Sequence, residues 1–268
     1  MNKNSLFLQK YFVSFLKAWK IFFEISFPGS EYWNKYIDYS NVKYDAIVLY
    51  SIPLIGMMLG FAAFAVATAV YLFFGAIPAA VICSPIFIIF WEILAHGKDT
   101  NCMVGAIAEK WAAFSRKKLG MEEPAYKGSN YVFMYVFMAV FALRVFCLVF
   151  LIYYNHFGWI VITTTLVMSI QGYLASDDIK NQSEIYIYAK VRDQRIMWVI
   201  TAIICAFFSE FHFLPVAVAY LLTLLFGFKM KAYLKKNDVL NGESIGIAGK
   251  YAEIFVLIIG LIFITHIN

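Results

Sequence analysis

Charged residues are scarce in this 268-residue chain. They make up only 15% of it, against 62% hydrophobic and 19% aromatic residues. A soluble domain carries about 25% charged and about 45–50% apolar residues. The composition therefore argues against a soluble protein with buried helices, because such helices rarely hold 18 consecutive apolar residues. It favours an integral membrane protein.

Paired cysteines and the common soluble-enzyme motifs are also missing. The four cysteines, at positions 83, 102, 147 and 205, have neither disulfide nor zinc-site spacing, so we interpret them as small apolar residues. The chain has no Gly-rich phosphate loop and no Gly-x-Ser-x-Gly nucleophile elbow. Lysines interrupt the first apolar stretch, which argues against a cleavable signal peptide.

Long hydrophobic runs are what the chain has in abundance. We predict an all-α polytopic membrane bundle of about seven spans, forming one domain over residues 1–268. The predicted spans are about 47–74, 77–95, 131–153, 158–175, 196–209, 213–228 and 251–267. Before them, lysines alternate with Phe, Leu and Trp up to Pro28-Gly29, which predicts an amphipathic helix lying in the membrane interface.

The basic residues are confined to alternate connections. Of 22 lysines and arginines, 21 fall in four segments, 1–46, 96–130, 176–195 and 229–250, and the other is Arg144 inside the third predicted span. The positive-inside rule predicts that these segments are cytoplasmic and that Asn268 lies outside. The net charge of +5 is thus a topology signal that also favours anionic lipid or phosphorylated substrates, and it gives no support to nucleic-acid binding.

Polar residues recur where the second predicted span leaves the membrane. In "WEILAHGKDTNC", Glu92, His96 and Asp99 have i, i+4, i+7 spacing, which places them on one face of a helix. Such a face can hold a hard divalent cation. Ordinary interfacial polarity is the alternative, and it is less satisfactory for Glu92 because an acid one turn deeper in lipid is costly.

A second polar stretch, "DVLNGESIGIAGKYAEIF", leads into the last predicted span. Its glycines at 242, 246 and 249 have near-helical spacing and permit close approach of a helix or ligand. Glu253 lies inside a hydrophobic run and needs a partner. The sequence leaves two roles open for Glu253: a functional acid, or one partner of a structural ion pair with Arg144.

These residues carry a resemblance to a known family. "NGESIGIAGKYAEIF" resembles the C-terminal signature of the cobalamin synthase family, approximately Gly-Asp-Thr-Leu-Gly-Ala followed by a Glu at the spacing of Glu253. Further similar stretches follow in family order over essentially the whole chain: "FFEISFPGSEYW", "YSIPLIGMMLG", "WEILAHGKD", "KKLGMEEP" and "FALRVFCL". The acidic loop of the family holds additional acids, and here Glu109 is the nearest carboxylate downstream of Asp99.

The resemblance implies an adenosylcobinamide-GDP ribazoletransferase in a bacterial or archaeal (inner) cell membrane. This enzyme would join α-ribazole or its 5′-phosphate to adenosylcobinamide-GDP, release GMP and use Mg²⁺, with membrane lipid as a further partner and a homo-oligomer allowed. The implied residues are His96, Asp99 and Glu243 for catalysis, Glu92, Asp99 and Glu243 for metal, and Lys98, Glu122, Glu123, Arg144, Gly242, Gly246 and Glu253 for substrate.

Two other functions remain open. One is a non-enzymatic homologue that binds a corrinoid or lipid or supports partner enzymes, and the other is a transporter. An enzyme needs Asp99 and Glu243 near one pocket at the cytoplasmic edge, within about 10 Å for a shared metal. A transporter would place its polar residues near the midplane.

Overall fold

A computed structural model describes residues 3–23, 46–94, 98–119, 130–177, 187–210 and 212–267, with side chains for most of them. These residues form nine α-helices and one pair of two-residue strands. The elements are α1 (Lys3–Phe22), α2 (Ala46–Phe74), α3 (Ala76–Leu94), α4 (Lys98–Leu119), α5 (Asn130–Tyr153), α6 (Gly158–Ala175), β1 (Ser176–Asp177), β2 (Ile187–Tyr188), α7 (Val191–Phe207), α8 (Phe213–Lys236) and α9 (Gly242–Ile267). The fold is therefore the all-α membrane bundle that the composition predicts.

Among the described residues, six helices are long and apolar enough to cross a membrane: α2, α3, α5, α6, α8 and α9. They form because an apolar chain in lipid must satisfy its backbone hydrogen bonds within each segment. The other predicted span, 196–209, overlaps α7, which has 17 residues and carries four polar residues, Arg-Asp-Gln-Arg, directly after its first residue.

Helix α7 nevertheless runs the full length of its neighbour α6 in the opposite direction. At one end, the Gln194 side chain donates to the carbonyl of Ser176, just after α6. At the other end, the amide of Gly158, the first residue of α6, donates to Glu210 just after α7. The two helices therefore meet at both of their ends, and α7 crosses the bundle beside the six longer helices. By length and composition, six of the about seven predicted spans are candidate spans, and 196–209 is not among them.

The ends of the bundle differ in charge. Residues 154–157 meet residues 208–210 and His212 at one end, and none of these is Lys or Arg. The other end, called the basic end below, holds the C-terminus of α6, the N-terminus of α7 and the C-terminus of α8. There Lys231 donates to the carbonyl oxygens of Tyr173 and Ser176, and Lys235 pairs with Asp177. Ser176 also pairs in parallel with Ile187, which joins β1 to β2.

Helix α6 is the centre of the bundle, and all of its residues except the half-buried Val167 are buried. Helix α2 packs against it through Gly56, where an added Cβ would lie 2.7 Å from the Thr164 carbonyl. Large apolar side chains on the outer helices are exposed instead, Phe73 being 82% and Phe207 82% accessible. Such an apolar outer surface is that of a protein solvated by lipid.

Two helices accompany the crossing helices without being candidate spans. Helix α1 buries Leu16, Ala18 and Trp19 against the bundle and leaves Lys20 exposed. It therefore has the amphipathic character that the sequence predicts for an interfacial helix. Helix α4 packs through Met103 and its neighbours against α5 and α9. This contact places α4 beside the site described next.

Candidate functional site

Four charged side chains from three helices form a closed ring inside the bundle. Arg144 of α5 donates from Nη1 to Glu92 Oε1 of α3 at 2.6 Å and from Nε to Glu253 Oε1 of α9 at 2.8 Å. Lys250 completes the ring, because its Nζ donates to Glu92 Oε1 at 3.0 Å and to Glu253 Oε2 at 3.2 Å. Two acids and two bases alternate, so the ring as a whole is neutral.

The ring is buried, and its zero net charge lowers the free-energy cost of that burial. Arg144 is 1% exposed and Glu253 is 4% exposed. An unpaired charge at this position would be costly in lipid, and removal of one partner from such a pair leaves the other uncompensated. The ring therefore fixes the rotation of α3, α5 and α9 relative to one another.

Asp99, in the first turn of α4, lies beside the ring. Its Oδ2 accepts a hydrogen bond from Gln171 Nε2 at 3.1 Å, and its Oδ1 lies against the backbone of Gly246 in α9. Burial raises the pKa of the Asp99 carboxyl above its usual range, while the nearby Lys250 opposes that shift. The contact joins the two stretches that carry the family resemblance, although Asp99 and Gly246 are 147 positions apart in the sequence.

The glycines of α9 make this close approach possible, as the sequence predicts. A Cβ at Gly246 would overlap the Asp99 carboxylate, and a Cβ at Gly249 would lie 2.5 Å from Gln171 Nε2. Only residues without a side chain leave room for both groups.

Glu243 lies one turn before Gly246 on the same face of α9. It is exposed and belongs to the first turn, where the helix dipole favours a carboxylate. Asn241 starts the helix by accepting a hydrogen bond from the Ser244 amide at 2.8 Å. One turn is about 5 Å along the axis. Glu243 thus lies about one helical turn from Gly246, the residue that Asp99 contacts at the basic end.

An open cavity of about 70 Å³ adjoins Asp99 and the ring. Its polar lining comes from Asp99, Gln171, Lys250 and Glu253, and the rest is mainly apolar. The other lining residues are Phe22, Phe23, Leu59, Trp91, Leu94, Thr163, Thr164, Val167 and Met168. The cavity therefore offers a charged wall and an apolar wall to one ligand, the usual character of a small-molecule site.

The polar groups lie at depths between the edge of the bundle, expected for an enzyme, and the membrane midplane, expected for a transporter. Asp99 and Glu243 lie at the basic edge, where an enzyme working on soluble substrates would need them. Glu253 lies eleven positions after Gly242, about 16 Å further along α9. The polar groups thus extend from the edge toward the middle of the bundle.

Two predicted roles change in this geometry. Glu92, expected as a metal ligand, bonds Arg144 and Lys250 instead. Arg144, expected to contact substrate, lies behind the cavity wall, because its guanidinium is taken up by the two glutamates. The ion pair with Arg144 that the sequence left open for Glu253 is confirmed. A single Arg can hold both acids because its planar guanidinium presents five donors.

The remaining predicted residues divide into those placed and those not described. Gly242 begins α9, and Gly246 contacts Asp99. Lys98 begins α4, with its side chain outside the described part. His96, Glu122 and Glu123 also lie outside the described residues.

The cavity residues that escaped the sequence reasoning include Lys250, Gln171 and Trp91. For Lys250 a signal was available, since it lies four residues after Gly246 and three before Glu253, on the face already chosen. Gln171 and Trp91 lie within apolar spans, where helical spacing alone does not show which residue faces a cavity.

The donors at the basic edge fit a weakly held magnesium ion better than a closed metal cage. Within the described part of the chain, no three His, Cys, Asp or Glu side chains form a metal-binding group. Asp99 and Glu243 remain as carboxylates outside the charge ring. That number suits Mg²⁺, which commonly takes one or two carboxylates and completes its shell with water and substrate phosphates.

Comparison with known proteins adds no further constraint. No family model, curated protein or solved structure matches this chain. The function is therefore argued from the geometry of the site.

Proposed function

We propose that this multi-pass membrane protein is a phosphotransferase whose site is the cavity at the basic end. Following the resemblance, its reaction joins α-ribazole or its 5′-phosphate to adenosylcobinamide-GDP and releases GMP. The observation that carries the proposal is the contact of Asp99 with Gly246. It brings the two resembling stretches together beside a cavity that has a charged wall and an apolar wall.

The reaction balances as a substitution at phosphorus. The acceptor hydroxyl oxygen bonds to the phosphorus that carries the corrinoid, and the bond from that phosphorus to the GMP oxygen breaks. The hydroxyl proton passes to a carboxylate, for which Asp99 is the group at the cavity wall. When bound, Mg²⁺ would be held by Asp99 and Glu243 and would supply charge neutralisation of the phosphates.

Other residues of the chain contribute binding. Lys250 presents a positive charge at the cavity wall where phosphate oxygens would lie. Phe22, Phe23 and Leu59 provide an apolar surface for the non-polar part of the substrate. In this proposal the protein resides in a bacterial or archaeal cell membrane, with the basic end in the cytoplasm.

The test is GMP release from adenosylcobinamide-GDP by protein in liposomes, with Mg²⁺ and either acceptor. Asp99→Asn should abolish release. Glu109→Gln is the matched control, because Glu109 lies in the same helix and is exposed, and it should retain activity. Complementation of a strain lacking its own ribazoletransferase provides a second readout. Absence of GMP release by the wild type with both acceptors would refute the enzyme proposal.

The closed charge ring favours a second candidate, a homologue without catalytic activity. Its two acids are already neutralised by Arg144 and Lys250, so the ring can serve structure alone. Such a protein would bind a corrinoid or lipid in the cavity. Binding of adenosylcobinamide-GDP without GMP release, and without complementation, would support this candidate over the enzyme.

A further inference from the structure

A groove between α8 and α9 lies on the outer surface of the bundle, away from the charge ring. Its volume is about 370 Å³, about five times that of the cavity beside Asp99. Leu222 and Phe226 of α8 and Phe255 and Ile258 of α9 contribute to its apolar walls. The groove faces outward, since Leu222 is 39% and Phe255 is 40% exposed. It is therefore open to the surroundings of the protein.

The surroundings of this groove are lipid. Helices α8 and α9 are both candidate spans, and Leu221 and Leu225, beside the groove on α8, are each 54% exposed. An empty groove forfeits dispersion contacts along its walls. A flexible, unbranched acyl chain can follow the walls and restore those contacts. The apolar part of the groove is thus suited to the chain of a lipid.

The face of α8 that lines the groove becomes cationic toward the basic end. At intervals of three or four residues, one stripe of the helix carries Leu222, Phe226, Lys229, Tyr233 and Lys236. The last three of these residues are exposed. None of the ion pairs among the described residues includes Lys229 or Lys236. The groove thus continues into a positively charged surface that can attract an anion from outside the protein.

The depth of Lys229 matches the boundary of the hydrocarbon core. This residue lies sixteen positions after Phe213, which is about 24 Å along the helix axis, and the hydrocarbon core is about 30 Å thick. A lysine near the boundary extends its ammonium toward the headgroup layer. Anionic lipid phosphates in that layer attract lysine. An acyl chain in the groove and a phosphate at Lys229 can therefore belong to one lipid.

We propose that the groove between α8 and α9 binds one anionic phospholipid, with an acyl chain against Leu222 and Phe255 and the phosphate at Lys229. A zwitterionic phospholipid offers the same chain, but its quaternary ammonium reduces the attraction to the lysine. The site goes beyond the proposed transfer, because Lys250 and Glu253 line the cavity and the groove lies on another face of α9. The lipid is a bound constituent of the protein, and it is neither substrate nor product.

The experiment measures lipid binding to the purified full-length protein by native mass spectrometry, without any transferase substrate. The probes are dioleoyl phosphatidylglycerol and dioleoyl phosphatidylcholine, which have the same chains and different headgroups. We expect the first molecule of phosphatidylglycerol to bind about fivefold more tightly than phosphatidylcholine. This ratio corresponds to about 1 kcal/mol, the attraction between one lysine and an anionic membrane surface.

Two pairs of variants test the headgroup and the chain separately. Lys229→Gln should remove the preference for phosphatidylglycerol and leave binding of phosphatidylcholine unchanged. Its control is Arg195→Gln, which changes an exposed basic residue of α7 at the same end and should keep the preference. Leu222→Trp fills the groove and should weaken binding of both lipids at least about fivefold, because the chain loses its apolar contacts. Leu221→Trp adds the same bulk outside the groove and should bind both lipids as the wild type does.

Each outcome decides the proposal. Equal affinity of the wild type for the two lipids, or an unchanged preference in Lys229→Gln, would overturn it. Equal binding by the two tryptophan variants would place the lipid elsewhere on the surface and would also overturn it. A lipid-free dimer that Leu222→Trp dissociates would show that a second copy of the chain occupies the groove instead. If Leu222→Trp does not fold, the comparison of Lys229→Gln with Arg195→Gln still decides. Because no substrate is present, the result is independent of the GMP assay.

Discussion

Asp99 occupies the space that a side chain at position 246 would need. Its Oδ1 lies so close to Gly246 that an added Cβ would overlap the carboxylate. This contact between α4 and α9 joins two polar stretches at one end of the bundle, beside a cavity that also contains Lys250 and Gln171.

The first prediction concerns this contact. Gly246→Ala should push the Asp99 carboxylate aside and lower the free energy of unfolding by about 1–3 kcal/mol, the usual cost of overpacking. The measurement is thermal unfolding in detergent, together with GMP release. Gly105→Ala in α4 is the control, because no atom of the described residues lies within 4 Å of its added Cβ, and it should stabilise slightly through higher helix propensity. Equal behaviour of the two variants would contradict the contact.

The second prediction concerns the charge ring. Arg144→Met leaves two buried acids with Lys250 alone, so it should lower the free energy of unfolding by about 3–5 kcal/mol. Adding Glu253→Gln to Arg144→Met should recover part of the loss, because the second change removes an uncompensated charge. A double-mutant cycle of unfolding in mixed micelles measures the coupling. Strictly additive effects would show that the two side chains do not interact.

The third prediction concerns pH. Burial is the main cause of the raised pKa of Asp99, to which Glu92 and Glu253 add, whereas Lys250 and the Gln171 hydrogen bond oppose it. The folded protein therefore holds this proton more tightly than the unfolded chain does. The resulting stabilisation is fully present below the usual carboxyl pKa of 3.8 and is lost as pH rises through the raised folded value.

Asp99→Asn removes that dependence, since an amide does not titrate. Its thermal midpoint relative to the wild type should rise as pH increases from about 4 to 8. Asn can still accept the hydrogen bond from Gln171, so the fold should be kept. A constant difference between the two proteins over this range would be inconsistent with titration of Asp99.

The fourth prediction concerns orientation in the membrane. In a cysteine-free background, a thiol at Ser115 should react with a membrane-impermeant reagent only after the cells are opened. A thiol at Asn155, in the turn between α5 and α6, should react in intact cells. The opposite pattern would place the basic end outside and refute the positive-inside assignment.

The sequence by itself determined which segments become crossing helices. Apolar runs of about 18 residues or more must be helical in lipid, because the backbone finds no other hydrogen-bond partners there. The predicted spans 158–175 and 47–74 accordingly match α6 and α2 to within one residue. Where a helix extends past its apolar run, hydropathy gave the wrong boundary. Helix α8 reaches Lys236 rather than 228, and α9 begins at Gly242 rather than 251.

The tertiary structure decided which polar side chains meet. Arg144 lies 52 positions after its partner Glu92 and 109 positions before its partner Glu253. Contact among these side chains depends on how each helix is rotated about its axis. Spacing along one helix fixes a shared face, but the partner of that face depends on packing against other helices. Lys250 and Asp99 therefore become cavity residues only in the assembled bundle, where the glycines of α9 let α4 and α6 approach closely enough.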